Sequence, residues 1–216
     1  MRLIGMLDSP YVRRVAISLS ELGHDFEHEA ISVFSGFGEF GRINPVVRAP
    51  TLVMDDDAVL MDSSIIIEQF ESFSPVERSL WPRDKVGRSR CAAVLGLALA
   101  ACDKAVQLVY ERELRPPNKQ HGAWAERVSR QVMAACRLLN EQPEEKDLWL
   151  ARGRPTQAGL TLGVACTFMH HLIPDVWAEA GLPNLRRFQE DAEALPIFRR
   201  WPHSGVEPAQ QDSPER

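Results

Sequence analysis

Ser9 and Pro10 form the first pair of residues in the chain whose types could do chemistry. A serine at the N-cap and a proline at the first helical position are a favoured structural pair, so helix capping alone explains both. However, Ser9 lies between an apolar run and a helical pattern, and ligands of open α/β sheets bind at such junctions. A helix N-terminus favours an anion, and a donated hydroxyl hydrogen bond would favour ionisation of a thiol, whose pKa is ordinarily about 8.5.

The segment RAPTL, residues 48–52, places a proline directly before a predicted strand. The peptide bond that precedes this proline is either an ordinary trans entry or a cis turn, and residue types alone favour trans. A cis bond would turn the backbone N–H and C=O of Ala49 outward. Those two groups would then be ready to pair with an extended peptide, as an added strand would.

The segment MDSS, residues 61–64, lies at the next strand-to-helix junction. Asp62 or Ser63 would serve as the N-cap of the helix that follows. The same residues would also suit an amino-acid head group, because a carboxylate pairs with an ammonium and a helix N-terminus with a carboxylate. As with Ser9, both helix capping and ligand binding are compatible with these residues.

The elements that must position these segments alternate between strand and helix over the first 75 residues or so. Residues 1–7 form a short apolar strand, and residues 11–22 carry the i, i+3, i+4, i+7 stripe of a helix that ends at Gly23. Residues 26–33 predict a second strand, followed by a short helical turn, two strands joined by a tight acidic turn in residues 51–61, and a helix over 63–73. This βαβαββα order predicts a mixed four-stranded sheet in an α/β fold.

From residue 82 onward the patterns are helical, with helices predicted over residues 84–112, 120–140, 156–171 and 183–195. We therefore expect an α/β domain over residues 1–76, a linker over 77–86, an all-α domain over 87–204 and a flexible tail over 205–216. The three arginine pairs, at residues 13–14, 186–187 and 199–200, all fall in helical patterns. They are expected on solvated helix faces.

Composition excludes several classes of function. With 216 residues and a net charge of -5, the chain gives no reason to expect nucleic-acid binding. The longest apolar run, residues 92–101, is shorter than the roughly 20 residues of a membrane span, and no signal peptide is recognisable. The four cysteines are widely spaced in apolar helical contexts, which predicts reduced, buried thiols in a cytosolic protein. Adjacent His170 and His171 cannot easily share one ion, so no metal is expected.

Three sequence segments together resemble a known family. SPYVRRV after the first strand, NPVVRAPTLV before the third and LMDSSIIIEQFE at the third helix are similar in order and spacing to the thioredoxin-like domain of cytosolic glutathione transferases of the serine type. An all-helical second half follows, as in that family, so the resemblance extends to about residue 204. It implies a cytoplasmic, homodimeric detoxification enzyme that conjugates glutathione to a small apolar electrophile, with no metal.

The resemblance also implies one composite site. Ser9 would hydrogen-bond the sulfur, the Ala49 backbone would pair with the cysteinyl unit beside a cis Pro50, and Arg48 would reach the glycine carboxylate. Asp62 and Ser63 would hold the γ-glutamyl end. The implied pocket for the second substrate lies between the domains, against Tyr11, Leu108 and Tyr110.

Some alternatives remain open. Tyr11 is an alternative donor to the sulfur, whereas the absence of cysteine at residue 9 argues against the enzymes that form mixed disulfides with glutathione. The capping box that the family usually has at the sixth helix is replaced by TQAG at residues 156–159, which removes the reciprocal bond. The same fold also suits a non-catalytic ligand-binding protein, a peroxidase, an isomerase or a dehalogenase.

Overall fold

The computed structural model describes residues 1–142, 150–151 and 154–204. The predicted flexible tail, residues 205–216, lies outside the described residues. The sheet-containing part of the chain comprises β1 (Arg2–Ile4), α1 (Pro10–Leu22), β2 (Glu27–Glu29), α2 (Phe37–Ile43), β3 (Thr51–Val53), β4 (Val59–Met61) and α3 (Ser63–Phe73).

The four strands form one sheet in the order β2-β1-β3-β4. β1 pairs parallel with β2 and antiparallel with β3, while β3 and β4 form an antiparallel hairpin. A mixed four-stranded sheet with the order βαβαββα is therefore confirmed. The acidic turn of the hairpin places Asp57 at a φ of 65°, a left-handed conformation that aspartate tolerates well.

Helix α1 begins at Pro10 behind the N-cap Ser9 and ends at Gly23, which has a φ of 86°. Glycine adopts this conformation without steric cost and donates its N–H to the last turn. The apolar stripe of α1 packs against α3 and the sheet, as the pattern predicts. The opposite face of α1 is also buried, because the helical part of the chain packs against it.

The helical part contains a long α4 (Lys85–Val109), α5 (Gly122–Asn140), α6 (Gln157–Leu172), α7 (Pro174–Glu179), α8 (Pro183–Ala194) and α9 (Pro196–Arg200). The four predicted helices correspond to α4, α5, α6 and α8. A π-helical turn, Tyr110–Leu114, extends α4, and a 3-10 turn, Pro117–Lys119, follows it. A short hairpin, β5 (Leu150–Ala151) with β6 (Arg154–Pro155), departs from the all-helical expectation because strands of two residues are too short to show an alternating pattern.

By length and composition alone, the segment Lys85–Leu114 would be able to cross a membrane. A single helix of this kind is weak evidence, because a core helix of a globular protein meets the same test. In the fold, α4 packs along α5 and α6 and contributes Val94, Ala98 and Ala105 to the core of the helical part.

The four cysteines are free and buried, as predicted. Burial raises the pKa of Cys102 and of Cys136 to about 12, so both stay protonated at neutral pH. Helix α6 begins behind the N-cap Thr156, whose hydroxyl accepts a hydrogen bond of 3.1 Å from the Gly159 N–H. Half of the capping box is therefore present, and only the reciprocal side-chain bond is missing at Gly159.

Candidate functional site

A cleft of about 410 Å³ lies between the two parts of the chain. One wall comes from the start of α1 and from the loops before α2 and β3, and the other comes from α4 and α6. The residues that line the cleft include Ser9, Tyr11, Phe34, Arg48, Ala49, Asp103, Val106, Val109, Tyr110, Phe168 and Leu172. The helical wall is mostly apolar, whereas the polar groups gather at the start of α1 and at the loop before β3.

Ser9 acts as the N-cap of α1 and also lines this cleft. Its hydroxyl oxygen accepts a hydrogen bond from the Val12 N–H at 3.4 Å, beyond the usual range for a strong bond. A serine hydroxyl accepts through its lone pairs and keeps one proton to donate. The capping and ligand-binding roles are therefore compatible, because the first uses a lone pair and the second uses the proton.

The Ala49–Pro50 peptide bond is cis, as the resemblance implies. The loop is fixed from both sides, because the Thr51 hydroxyl donates to the Arg48 carbonyl at 2.7 Å and accepts from the Asn44 side-chain amide at 2.8 Å. The paired register of β3 begins at Thr51, so Ala49 lies outside the ladder and faces the cleft. Pro50 itself is buried behind it.

Asp62 and Ser63 lie at the start of α3, next to this loop. Asp62 has a φ of 66°, and its carboxylate accepts from the Ser64 N–H at 2.9 Å. Its other oxygen lies 3.3 Å from the Arg48 guanidinium, which connects the start of α3 with the lining of the cleft. Ser63 is only 3% exposed, and its hydroxyl accepts a hydrogen bond of 2.8 Å from Arg14.

The structure places Tyr11 and Tyr110 in the cleft and Leu108 outside it. The Tyr110 ring packs edge-on against Phe34 with centroids 5.7 Å apart, so these two rings bridge the two walls. Leu108 is 0% exposed in the helical core, which corrects its assignment to the second-substrate pocket. It shares the inner face of α4 with Ala105 and Ala101, one and two turns earlier, and Val106 and Val109 line the cleft instead.

Burial raises the pKa of Tyr11, and Cys102 and Asp103 nearby add to the rise. Burial likewise raises the pKa of Tyr110. Both phenols therefore stay protonated at neutral pH and act as hydrogen-bond donors, not as bases. The cleft thus combines an apolar wall with hydroxyl donors at Ser9 and Tyr11.

The prediction that Arg13 and Arg14 lie on a solvated helix face is wrong. Arg13 is 1% exposed and Arg14 is 2% exposed, because α1 is covered on both faces. The pairs at residues 186–187 and 199–200 are exposed, as predicted. The sequence pattern of α1 shows only one apolar stripe and does not indicate that the polar face of the helix is also in contact with other elements. The burial of these two arginines therefore could not be predicted from the sequence.

Within the described ranges, no group of three or more His, Cys, Asp or Glu side chains could hold a metal ion.

Comparisons with known proteins find similarity to glutathione S-transferases, both in a family model and in solved structures. The family model of the glutathione S-transferase N-terminal domain matches residues 3–77. A solved glutathione S-transferase of Methylobacterium radiotolerans, in complex with glutathione sulfonate, has a TM-score of 0.83 at 26% identity. That match covers 95% of this chain and 96% of the other.

Two curated proteins also match. The chain is 31% identical over 120 residues to the uncharacterized GST-like protein YibF of Escherichia coli, a match that covers 56% of this chain and 58% of that protein. It is 26% identical over 203 residues to maleylacetoacetate isomerase of Pseudomonas aeruginosa, which covers 87% of this chain and 88% of the isomerase. The first match thus spans little more than half of its relative, whereas the second spans most of it.

Proposed function

We propose that the chain, whose residues 3–77 match the family model of the glutathione S-transferase N-terminal domain, binds glutathione, stabilises its thiolate and conjugates it to a small apolar electrophile. The observation that carries this proposal is the place of Ser9. Its hydroxyl lines the cleft at the start of α1 and retains a proton to donate, opposite a wall that includes Val106, Val109 and Phe168. A polar sulfur site facing an apolar wall is the arrangement that such a transfer needs.

Each part of the tripeptide has a proposed partner. The sulfur lies at Ser9, and the cysteinyl unit pairs with the backbone of Ala49. The start of α3, at Asp62 and Ser63, receives the γ-glutamyl end. Arg48 receives the glycine carboxylate and is 59% exposed at its side chain, so it is free to turn from Asp62 toward a second anion.

The proposed reaction needs only the thiolate and the electrophile. The glutathione thiol loses its proton to solvent, and a hydrogen bond from Ser9 stabilises the sulfur anion that remains. The thiolate then attacks the electrophilic carbon, so that a C–S bond forms while the bond to the leaving group breaks. Tyr11, which stays protonated, donates to developing negative charge on the electrophile.

A second candidate is glutathione-dependent isomerisation, which the match to an isomerase over 87% of this chain favours. Isomerisation of an acidic substrate would require cationic groups in the cleft. Among the described lining residues, Arg48 is the one cation, and it is paired with Asp62, while Asp103 adds a negative charge. The cleft therefore suits an apolar electrophile better than an acid, and we rank conjugation first.

The proposal predicts that glutathione binds the wild-type protein in calorimetry and that the protein conjugates a chlorodinitrobenzene electrophile. A panel with peroxides and an unsaturated acid separates conjugation from the other chemistries. Binding with no turnover on the whole panel would favour a carrier or regulatory protein. No heat of binding at millimolar glutathione would reject the proposal altogether.

We further propose that two copies of the chain associate. The edge strand β4 and the first turn of α3 expose Val59, Met61 and Ile65, the last of which is 55% exposed. An apolar patch on a sheet edge is typical of an interaction surface. Sedimentation should give about twice the chain mass of 24.3 kDa, and Ile65→Glu should lower it toward that of one chain. A wild-type protein that sediments as a single chain would contradict the dimer.

The proposed setting is the cytoplasm. Four buried, free cysteines suit a reducing compartment, where disulfides are rare. Glutathione is abundant in such a compartment, so conjugation of reactive electrophiles there would serve detoxification.

A further inference from the structure

Glu111 is a buried carboxylate that follows directly after Tyr110 at the end of α4. It is 5% exposed, and its two oxygens have separate partners. One oxygen accepts from the His121 N–H at 2.6 Å, and the other lies 3.0 Å from Nε of Arg115. Because His121 is the N-cap of α5, this one carboxylate connects the end of α4 with the start of the next helix.

The turn that contains Glu111 is π-helical and spans Tyr110–Leu114. Such turns are rare and are frequent at functional sites. Residues 116 and 117 are prolines, so the Arg112 carbonyl has no backbone N–H donor four or five residues later. It accepts instead from the Gln120 side-chain amide at 2.7 Å. Side chains from the following loop therefore hold this end of α4 in place of the regular backbone bonds.

Tyr110, the first residue of the π-helical turn, reaches across the cleft. Its ring meets Phe34 edge-on, and the two rings, which are 45% and 47% exposed, both line the cleft. Aromatic rings prefer edge-on or offset contact with one another, so a planar aromatic group in the cleft would pack well against this pair. The strength of that contact depends on the direction in which the turn points the Tyr110 ring.

We propose that Glu111 is a positioning residue for the second substrate and that this substrate carries a planar aromatic group. Glu111 holds the π-helical turn against the start of α5 and thereby keeps Tyr110 opposite Phe34. It is buried behind the wall of the cleft, so it acts through Tyr110 and not by touching the substrate. This inference rests on the proposed glutathione-dependent function and narrows the class of electrophile.

The test is calorimetry with S-methylglutathione and S-dinitrophenylglutathione, which differ only in the group on the sulfur. Wild-type protein should bind the aromatic conjugate about tenfold more tightly, because its ring gains the contact with Phe34 and Tyr110. In Glu111→Ala, this preference should fall to about twofold, while the dissociation constant for S-methylglutathione should change less than about twofold.

Glu71→Ala is the matched control. Glu71, on α3, also accepts from a backbone N–H across a loop, that of Leu80 at 3.1 Å, but it lies away from the cleft. Its loss should lower stability and keep the preference for the aromatic conjugate. If Glu111→Ala does not fold, Glu111→Gln serves instead, because the amide oxygen still accepts an N–H bond but the ion pair is lost. A preference reduced about threefold would then support the inference, and an unchanged one would overturn it.

A double variant separates positioning from a general structural role. Tyr110→Ala alone should lose the preference, and adding the Glu111 substitution that folds should cause no further loss, because both changes remove the same contact. A further loss in the double variant would overturn the inference. Equal weakening of both conjugates in the single Glu111 variant would also overturn it.

The two proposals fail in different ways. If wild-type protein binds neither conjugate, the proposed function fails and this inference fails with it. If wild-type protein binds both conjugates equally, glutathione binding stands, and the aromatic substrate class and the role of Glu111 are rejected.

Discussion

Ser9→Ala is expected to lower kcat/KM for glutathione conjugation by about 10- to 100-fold, because it removes a hydrogen bond to a charged acceptor. Such a bond stabilises the thiolate but not the thiol, so its loss acts on the reactive form of the ligand. Most of the effect should appear in the rate at neutral pH and little in the affinity for S-methylglutathione, which has no thiol to ionise. Steady-state kinetics and calorimetry on the two proteins separate these effects.

The fold should survive this change. The capping bond that Ser9 accepts is long, at 3.4 Å, and Pro10 still opens the helix, so the expected loss of stability is below about 1 kcal/mol. Tyr11→Phe is the matched control, because it removes the other hydroxyl at this end of the cleft. It should change the rate less than about threefold for an electrophile without an oxygen acceptor. A larger loss in Tyr11→Phe than in Ser9→Ala would transfer the role to Tyr11.

The largest effect on stability is expected for Arg13→Gln. Arg13 binds both oxygens of Glu193, which also accepts from Thr167, and in this way it connects α1 to α8. Removing one partner of a mostly buried pair leaves the other without compensation, and the free energy of unfolding should fall by about 3 kcal/mol. Urea unfolding of both proteins measures this difference. Arg199→Gln, on an exposed face of α9, should change stability by less than about 0.5 kcal/mol.

This stabilisation should depend on pH in one direction. Burial alone would raise the pKa of Glu193, but hydrogen bonds from Arg13 and Thr167 outweigh it, and the pKa lies below its ordinary value of 4.5. A group with a lowered pKa stabilises the fold above its unfolded pKa, and that contribution disappears as the pH falls through the lowered value. The difference between wild type and Arg13→Gln should therefore be full at pH 7 and shrink below about pH 4.5. A difference that stays constant down to pH 3 would show that packing, and not the ion pair, carries the effect.

Much of the fold follows from local patterns. The helical spacing of four apolar residues predicts both α1 and its contact with the sheet. All four residues with this spacing are buried against the sheet and α3: Val12, Val15, Ala16 and Leu19. Ser9, Pro10 and Gly23 mark its ends by capping and by a positive φ. The three segments that suggested a site also meet around one cleft or directly beside it. Ser9 and Asp62 follow β1 and β4, whereas Arg48 and Ala49 precede β3. Because β3 runs antiparallel to both other strands, all three segments lie at the same edge of the sheet.

The rest depends on packing between distant elements. No local pattern indicates that α1 lies between two layers, so Arg13 and Arg14 resemble solvated residues until α6 and α8 cover them. The prediction that Leu108 lines the cleft is wrong for a similar reason. Neighbouring side chains on α4 differ by about 100° in direction, and only the packing of the helix decides which of them faces the cleft. Phe34 and Tyr110 are 76 positions apart in the sequence, and no motif links them. Their ring contact, which bridges the two walls of the cleft, is therefore visible only in the folded structure.

The most direct test of the central claim is a spectroscopic titration of glutathione bound to the protein. The ultraviolet absorbance of the thiolate gives the pKa of the bound thiol in wild type, Ser9→Ala and Tyr11→Phe. We predict a pKa at least about one unit below the ordinary 8.5 in wild type and in Tyr11→Phe, and a rise of about one unit in Ser9→Ala. The same pKa in wild type and Ser9→Ala would contradict the assignment of thiolate stabilisation to Ser9.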